Sequence, residues 1–392
     1  GAKVRDLVTN DETRIKWTSG LYSDLAKNRA ITYDAGATYC GLYRPFCKQW
    51  LNASDGIIHR PAVLRRYFPT PGHDNIGFYL TGISSHYDFG ALIVDALPNL
   101  HVLDTGQFFP RWTWEPAGGR HAAESGMLDL SGDEDAKKSS TAVGQEGEVV
   151  GGYRRVDNIT DATLRSYQAA YGPEVTKDDV FYYVYALLHS PEYRTRYGAD
   201  LKKSLPHIPL VASREDFVAF TTAGRGLADL HLDYESVEPT PLSLVVNGEN
   251  VPWDLRETIS PSLLHMEKMR YARVRQDGRL QDDKTSIVYN EHVTISGIPI
   301  QAQDYLLGSR SGLDWLLDRY RVSTHKASGI VNDPNDWMAE GAGGGPTASA
   351  QPRHLLDLIA RITTVSVRTQ EVVNSLPPLD VKPTETPTQV EL

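Results

Sequence analysis

Asp333, Pro334 and Trp337, in the run SGIVNDPNDW (328–337), come close to a pattern with known chemistry. Enzymes that methylate an exocyclic amino group of a DNA base use a short Asn/Asp-Pro-Pro-aromatic motif. Its acid or amide accepts the amino hydrogens, and its ring stacks on the flipped base. Here Asn335 stands where the second proline belongs, and Asp336 separates it from Trp337. Such chemistry also needs a glycine-rich cofactor turn after a strand, and SGLDW (311–315) follows none. NDPNDW therefore reads as a turn, with Asn and Asp side chains holding backbone and Pro334 fixing a dihedral.

TGISSHYD places Ser84, Ser85, His86 and Asp88 together after an apolar run. Nucleophilic hydrolysis requires such residues in a triad, but adjacency in sequence is not triad geometry, and a polar loop is the simpler reading. There is no Gly-x-Ser-x-Gly elbow, no Walker-type loop and no His-Glu-x-x-His. Cys40 and Cys47 are the only cysteines, too few for a four-thiolate zinc site and without a ligand-spaced histidine beside them. A disulfide is not expected, and sparse thiols suit a reducing cytoplasm. No recognisable catalytic apparatus emerges.

The elements that must position these residues belong to a folded α+β protein. The 392 residues are 40% hydrophobic, with no run long enough for a membrane span and no signal-peptide pattern. Gly1-Ala2 is expected to be a cloning remnant on a chain cut from a larger protein. The first third is strand-rich: NIGFYLTGIS (75–84), ALIVDALPNLHVL (91–103) and TGQFFPRWTWEP (105–116). Residues 117–150 are polar and acidic and read as an exposed insertion, with a possible sub-boundary near 150–158.

Helices follow. Thr160 is expected to cap one ending at Gly172, and Thr176 one carrying DDVFYYVYALLH. Ser190-Pro191 should open a third, PEYRTRYGADLKKSL, packed on the second as a hairpin, and Ser213 a fourth. Phe181, Tyr182, Tyr183 and Tyr185 have the types to stack on bases, but so dense a set on an amphipathic helix reads as core. Strands return from about 240, with QDGRLQDD as a hairpin tip. SGLDWLLDRYRV is a helix, and RHLLDLIARITTVSVRTQEVVNSL is a long C-terminal one; the chain from Pro377 reads as a tail, disordered over 381–392.

Net charge is −10, which excludes a protein that coats nucleic acid through bulk charge. The charge is uneven. Residues 1–70 hold eleven Lys/Arg against six Asp/Glu, and HMEKMRYARVRQ (265–276) holds four against one. Residues 121–148 hold two against seven. Reading a sequence in DNA needs local basic patches rather than a basic total.

Longer blocks carry a resemblance. GLYRPFCKQW (41–50), ITDATLRSYQAAYG, VTKDDVFYYVYALLHSPEYRTRYGADLKKSLPHIPL, AGRGLADLHLDYE, KMRYARV, KTSIVYNEHVTISGIP, DWLLDRYRVSTHKASGIVNDPNDW and SVRTQEVVNSLPPL follow in order. Over about residues 11 to 380 the chain resembles the C-terminal part of type ISP restriction–modification enzymes. Those are single polypeptides joining a nuclease, a helicase-like ATPase, an amino-adenine methyltransferase and a target recognition domain. The resemblance implies that residues 1–30 lead from the methyltransferase region and 31–380 form the target recognition domain. The fragment then needs no cofactor. S-adenosylmethionine, ATP and Mg would serve the upstream domains, and the partners would be double-stranded DNA and those domains.

Arg or Lys would meet guanine, Asn or Gln adenine, and other cations phosphates. The candidates are Lys268, Arg270, Arg273, Arg275 and Arg279 near the hairpin, with Lys284 and Asn290. Arg44 and Lys48 would meet phosphates or pack on the methyltransferase. Arg225, inside an apolar helix, reads as structural. Two further readings stay open: a coupling scaffold that packs on the other domains and reads little DNA, and a hydrolase around Ser84–Asp88.

Overall fold

The computed structural model describes residues 19–54, 56–58, 62–83, 85–117, 147–326, 329–338 and 353–383. Helix α1 (Ser19–Ala26) precedes a hairpin of β1 (Thr38–Arg44) and β2 (Cys47–Asn52), turned at Phe46 with φ 59°. After α2 (Ala62–Tyr67) come β3 (Gly77–Thr81), β4 (Ala91–Val94), β5 (Leu97–Pro98), β6 (Gly106–Pro110) and β7 (Trp112–Pro116). β8 (Val149–Val150) and β9 (Tyr153–Asp157) follow. They build three small sheets, ordered β2-β1-β5, β4-β3-β6 and β7-β9-β8. The expected insertion is thus bounded by paired strand, and its residues 118–146 lie outside the described ones. The proposed sub-boundary falls on β9, which pairs along the whole of β7.

The capping signals act as expected. Thr160 accepts from the Thr163 amide at the start of α3 (Asp161–Tyr171), which stops at Gly172, φ 120°. Thr176 and Asp179 form a reciprocal capping box on α4 (Lys177–His189). Ser190 caps α5 (Pro191–Arg196), but the expected single helix breaks at Tyr197 and resumes as α6 (Gly198–Leu201). The helix lying on α4 is instead α7 (Arg214–Leu232), capped by Ser213. Gly224 of α7 comes so close that a Cβ there would sit 1.9 Å from the Tyr182 carbonyl oxygen. Phe181, Tyr183 and Tyr185 are buried, and Phe78 of β3 stacks on Phe181 at 4.1 Å between ring centroids. Arg225 spans from α7 to Asp179 at 2.8 Å and covers the Tyr182 ring.

The main sheet of the second half is antiparallel, ordered β11-β10-β14-β13-β12. Its strands are β10 (Ser243–Val246), β11 (Glu249–Val251), β12 (Arg270–Gln276), β13 (Arg279–Val288) and β14 (Val293–Ser296). α8 (Gly312–Arg319), α9 (Pro334–Met338) and α10 (His354–Asn374) complete the fold. Leu244, Ile287 and Ile295 of the sheet join Leu313 of α8 and Leu358 of α10 in one core. The aromatic helices close a second core on β3 and β4. α10 ties the two halves together: Thr369 bonds His231 of α7, and His231 bonds Tyr185 of α4.

The expected tail begins later than Pro377. Leu379 is buried, Val381 bridges Val211, and the Lys382 amide donates to the Leu210 carbonyl. Backbone pairing holds this stretch through Lys382, and 384–392 lie outside the described residues.

Candidate nucleic-acid interface

The β12–β13 hairpin carries most of the predicted contacts. β14 pairs only with Ser286–Val288 of β13, so beyond that point the two strands have only each other. The register shifts between Tyr271 and Ala272, leaving extra residues around Lys284 on β13. Every residue from 273 to 282 is exposed. At the tip Asp277 and Gly278 take φ values of 50° and 76°, the type I′ geometry that Asp-Gly favours.

Where the hairpin meets α8 there is a groove of about 760 Å³. Its walls carry Lys268, Arg270, Arg273, Lys284, Arg310 and Arg321 against Asp282, Asp314 and Asp318. Six cations against three carboxylates leave a balance of +3 in a chain of −10. A second hollow of about 540 Å³ lies beside it, and Lys268 and Arg270 border both. Lys268 and Arg321 form a backbone bridge that sets their side chains at the same edge.

The predicted residues divide by what they touch. Lys268, Arg270, Arg275 and Arg279 are exposed and make no ion pair or hydrogen bond through their side chains among the described residues. Arg273 faces Asp282 across the hairpin at 3.3 Å, a solvent-exposed pair of little strength. The other four have internal partners. Lys284 donates to Asp314 at 2.9 Å and lies 3.8 Å from the Tyr271 ring, pinning the bulge to the start of α8. Asn290 donates to the Leu263 and His265 carbonyls and accepts from the His292 and Val293 amides, so its amide is used up holding a turn. Lys48 is 13% exposed, between Asp95 at 3.6 Å and Glu235 at 3.5 Å; burial works against its charge, but these carboxylates raise its pKa. Arg44 donates to the Tyr43 carbonyl and lies over the Tyr43 ring; burial lowers its pKa.

NDPNDW serves the same edge. Asp333 accepts from the Asn335 amide, starting α9, and Asn335 bonds both the Met266 amide and the Met266 carbonyl. The motif is an Asx-held turn that fixes the approach to β12, as its residue types predict; the Trp337 ring lies outside the described side chains. In the Ser/His/Asp loop, Ser85 Oγ and His86 Nδ1 both bond Asp104, at 3.0 and 3.3 Å, and Asp88 bonds Ser309. No Ser85–His86 bond exists, the His86 ring is 93% exposed, and Ser84 lies outside the described residues. No group of three His, Cys, Asp or Glu among the described residues could hold a metal, and both cysteines are free thiols.

Residues 2–356 match the family model of the Type ISP C-terminal specificity domain. The chain belongs to this family. Solved structures agree with the assignment. The ATP-dependent Type ISP restriction-modification enzyme LlaBIII bound to DNA aligns over 94% of this chain and 20% of that one, with 26% identity and a TM-score of 0.70. A nuclease-deletion mutant of the Type ISP enzyme LlaGI, in complex with a DNA substrate mimic, aligns over 97% and 28%, with 28% identity and a TM-score of 0.68. A DrdV–DNA complex aligns over 93% and 30%, with 27% identity and a TM-score of 0.68. The specificity domain thus spans less than a third of each of these chains. No curated protein matches it.

Sequence reasoning missed two residues of the specificity domain's groove, Arg310 and Arg321. Both flank α8 and reach Asp318, Arg310 at 2.5 Å and Arg321 at 3.6 Å. The run SRSGLDWLLDRYRV holds a legible signal, since arginines stand at both ends of a short helix. Among the described residues no helix is long and apolar enough to cross a membrane.

Proposed function

We propose that this specificity domain recognises sequence in duplex DNA on behalf of a longer restriction–modification polypeptide. The carrying observation is the edge formed by the β12–β13 hairpin and its groove. It gathers a local excess of cations, four of them without internal partners among the described residues, in an acidic chain. The family and the DNA-bound enzymes it resembles support the same reading. Lys268, Arg270, Arg275 and Arg279 are the primary contacts, Arg273, Arg310 and Arg321 are within reach, and phosphate contacts set the register for base readout. In the intact polypeptide, methylation of adenine and cleavage belong to other domains, which would use S-adenosylmethionine, ATP and Mg in the cytoplasm. The domain limits 1–30 and 31–380 are part of this proposal.

Docking on those domains is a second role, favoured by one observation. Tyr33, ahead of the β1–β2 hairpin, is 68% exposed and Trp50 of β2 52% exposed, and large apolar side chains suit burial against protein. The test of the first role is selection of the domain against a randomised duplex pool at two salt concentrations. An enriched motif is expected. Retention without enrichment, lost as salt rises, would mean backbone attraction alone.

A further inference from the structure

The hairpin tip has a chemistry beyond its charge. Five cross-strand pairs run from Ala272–Asp283 to Gln276–Arg279, a ribbon of roughly 17 Å at ~3.4 Å per residue. The major groove is about 12 Å wide and about 8.5 Å deep and admits a two-stranded ribbon. Strand alternation puts Val274, Gln276, Arg279 and Gln281 on one face, and Arg273, Arg275, Leu280 and Asp282 on the other. Val274 is 45% exposed although it packs on no core, and the Gln281 carboxamide makes no hydrogen bond among the described residues. The two are direct cross-strand partners.

We infer that the Val274–Gln281 pair reads one A·T base pair in the major groove. This deepens the specificity reading and rests on it. A carboxamide pairs in bidentate fashion with N6 and N7 of adenine, and an apolar side chain packs on the thymine methyl. One A·T pair displays both features side by side. One cross-strand pair, with Cβ atoms about 5 Å apart, presents both complements side by side. Arg279 on the same face has the fork for guanine O6 and N7 at a neighbouring step. The tip's rigidity comes from the Asp277-Gly278 turn, and its aim from Lys284, which clamps the bulge at its base. An aliphatic side chain left in solvent at the end of a ribbon, beside a carboxamide with no partner among the described residues, is accounted for when the base edges supply both contacts.

The test is selection and sequencing with the whole chain and two variants, each checked for an unchanged thermal midpoint. The wild type is expected to enrich a motif containing an A·T position. Gln281→Ala should lose the preference there by roughly 5- to 150-fold and leave the other positions unchanged. Gln281→Glu should move it toward C·G, because a carboxylate accepts from cytosine N4. A motif unchanged in both variants overturns the inference and leaves the specificity reading standing. A wild type that enriches nothing overturns that reading and this inference with it.

Discussion

Replacing Lys268 and Arg270 together by alanine should change how DNA binding responds to salt, and by a calculable amount. Both are exposed, border both hollows beside the hairpin, and have no ion-pair partner among the described residues. Each phosphate they neutralise should add about −0.9 to the slope of log K against log salt. Losing two contacts makes the slope less steep by about 1.8. Between 50 and 200 mM salt, a fourfold change, the wild type should therefore lose roughly tenfold more affinity than the double variant. Fluorescence anisotropy on a labelled duplex, titrated at four salt concentrations, measures this. Lys48→Ala is the control. It removes one positive charge, against two in the double variant, and takes it from between Asp95 and Glu235. Its slope should match the wild type's. An unchanged slope in the double variant, or an equal change in Lys48→Ala, would refute the assignment of the interface to this edge.

Other expectations concern the scaffold. Gly224→Ala forces a methyl into the Tyr182 carbonyl, which is backbone and cannot swing aside; a loss of about 1–3 kcal/mol in chemical denaturation is expected, and a neutral effect would mean that α4 and α7 are not so close. Asn290→Ala should cost about 1–3 kcal/mol while folded protein keeps its DNA affinity; weaker binding at equal stability would return Asn290 to the interface. Acid should destabilise the fold through His231. Burial pushes that ring from 6.5 to about 3, with both nitrogens held by Tyr185 and Thr369. Below pH 6.5 the unfolded chain binds a proton that the folded one refuses, so stability is lost as pH falls from there toward about 3. His231 alone accounts for about 2 kcal/mol at pH 5, and His189, shifted the same way by burial, adds to it. Urea midpoints equal at pH 7.5 and 5.0 would contradict this.

Much of the fold was written in local chemistry. Thr160, Thr176, Ser190 and Ser213 are caps because a hydroxyl beside the first free amides satisfies them wherever the helix later packs. Asp277-Gly278 turns the ribbon because few other residues accept two positive φ angles in succession. NDPNDW was recognisable as a turn for the same kind of reason: Asp333 bonds an amide two residues on. The break at Tyr197 and the pairing of α4 with α7 were not legible, since both depend on which surfaces meet.

The sequence by itself determined where cations concentrate, where the hairpin turns and which helices start where. Only the tertiary structure decided which cations are free. Lys48 finds Glu235, and Lys284 finds Asp314, across long stretches of chain, while the Lys268 and Arg270 side chains find no partner among the described residues. Charge is a property of the residue, but whether that charge is already neutralised depends on distances of a few ångströms, and those exist only once the chain has folded.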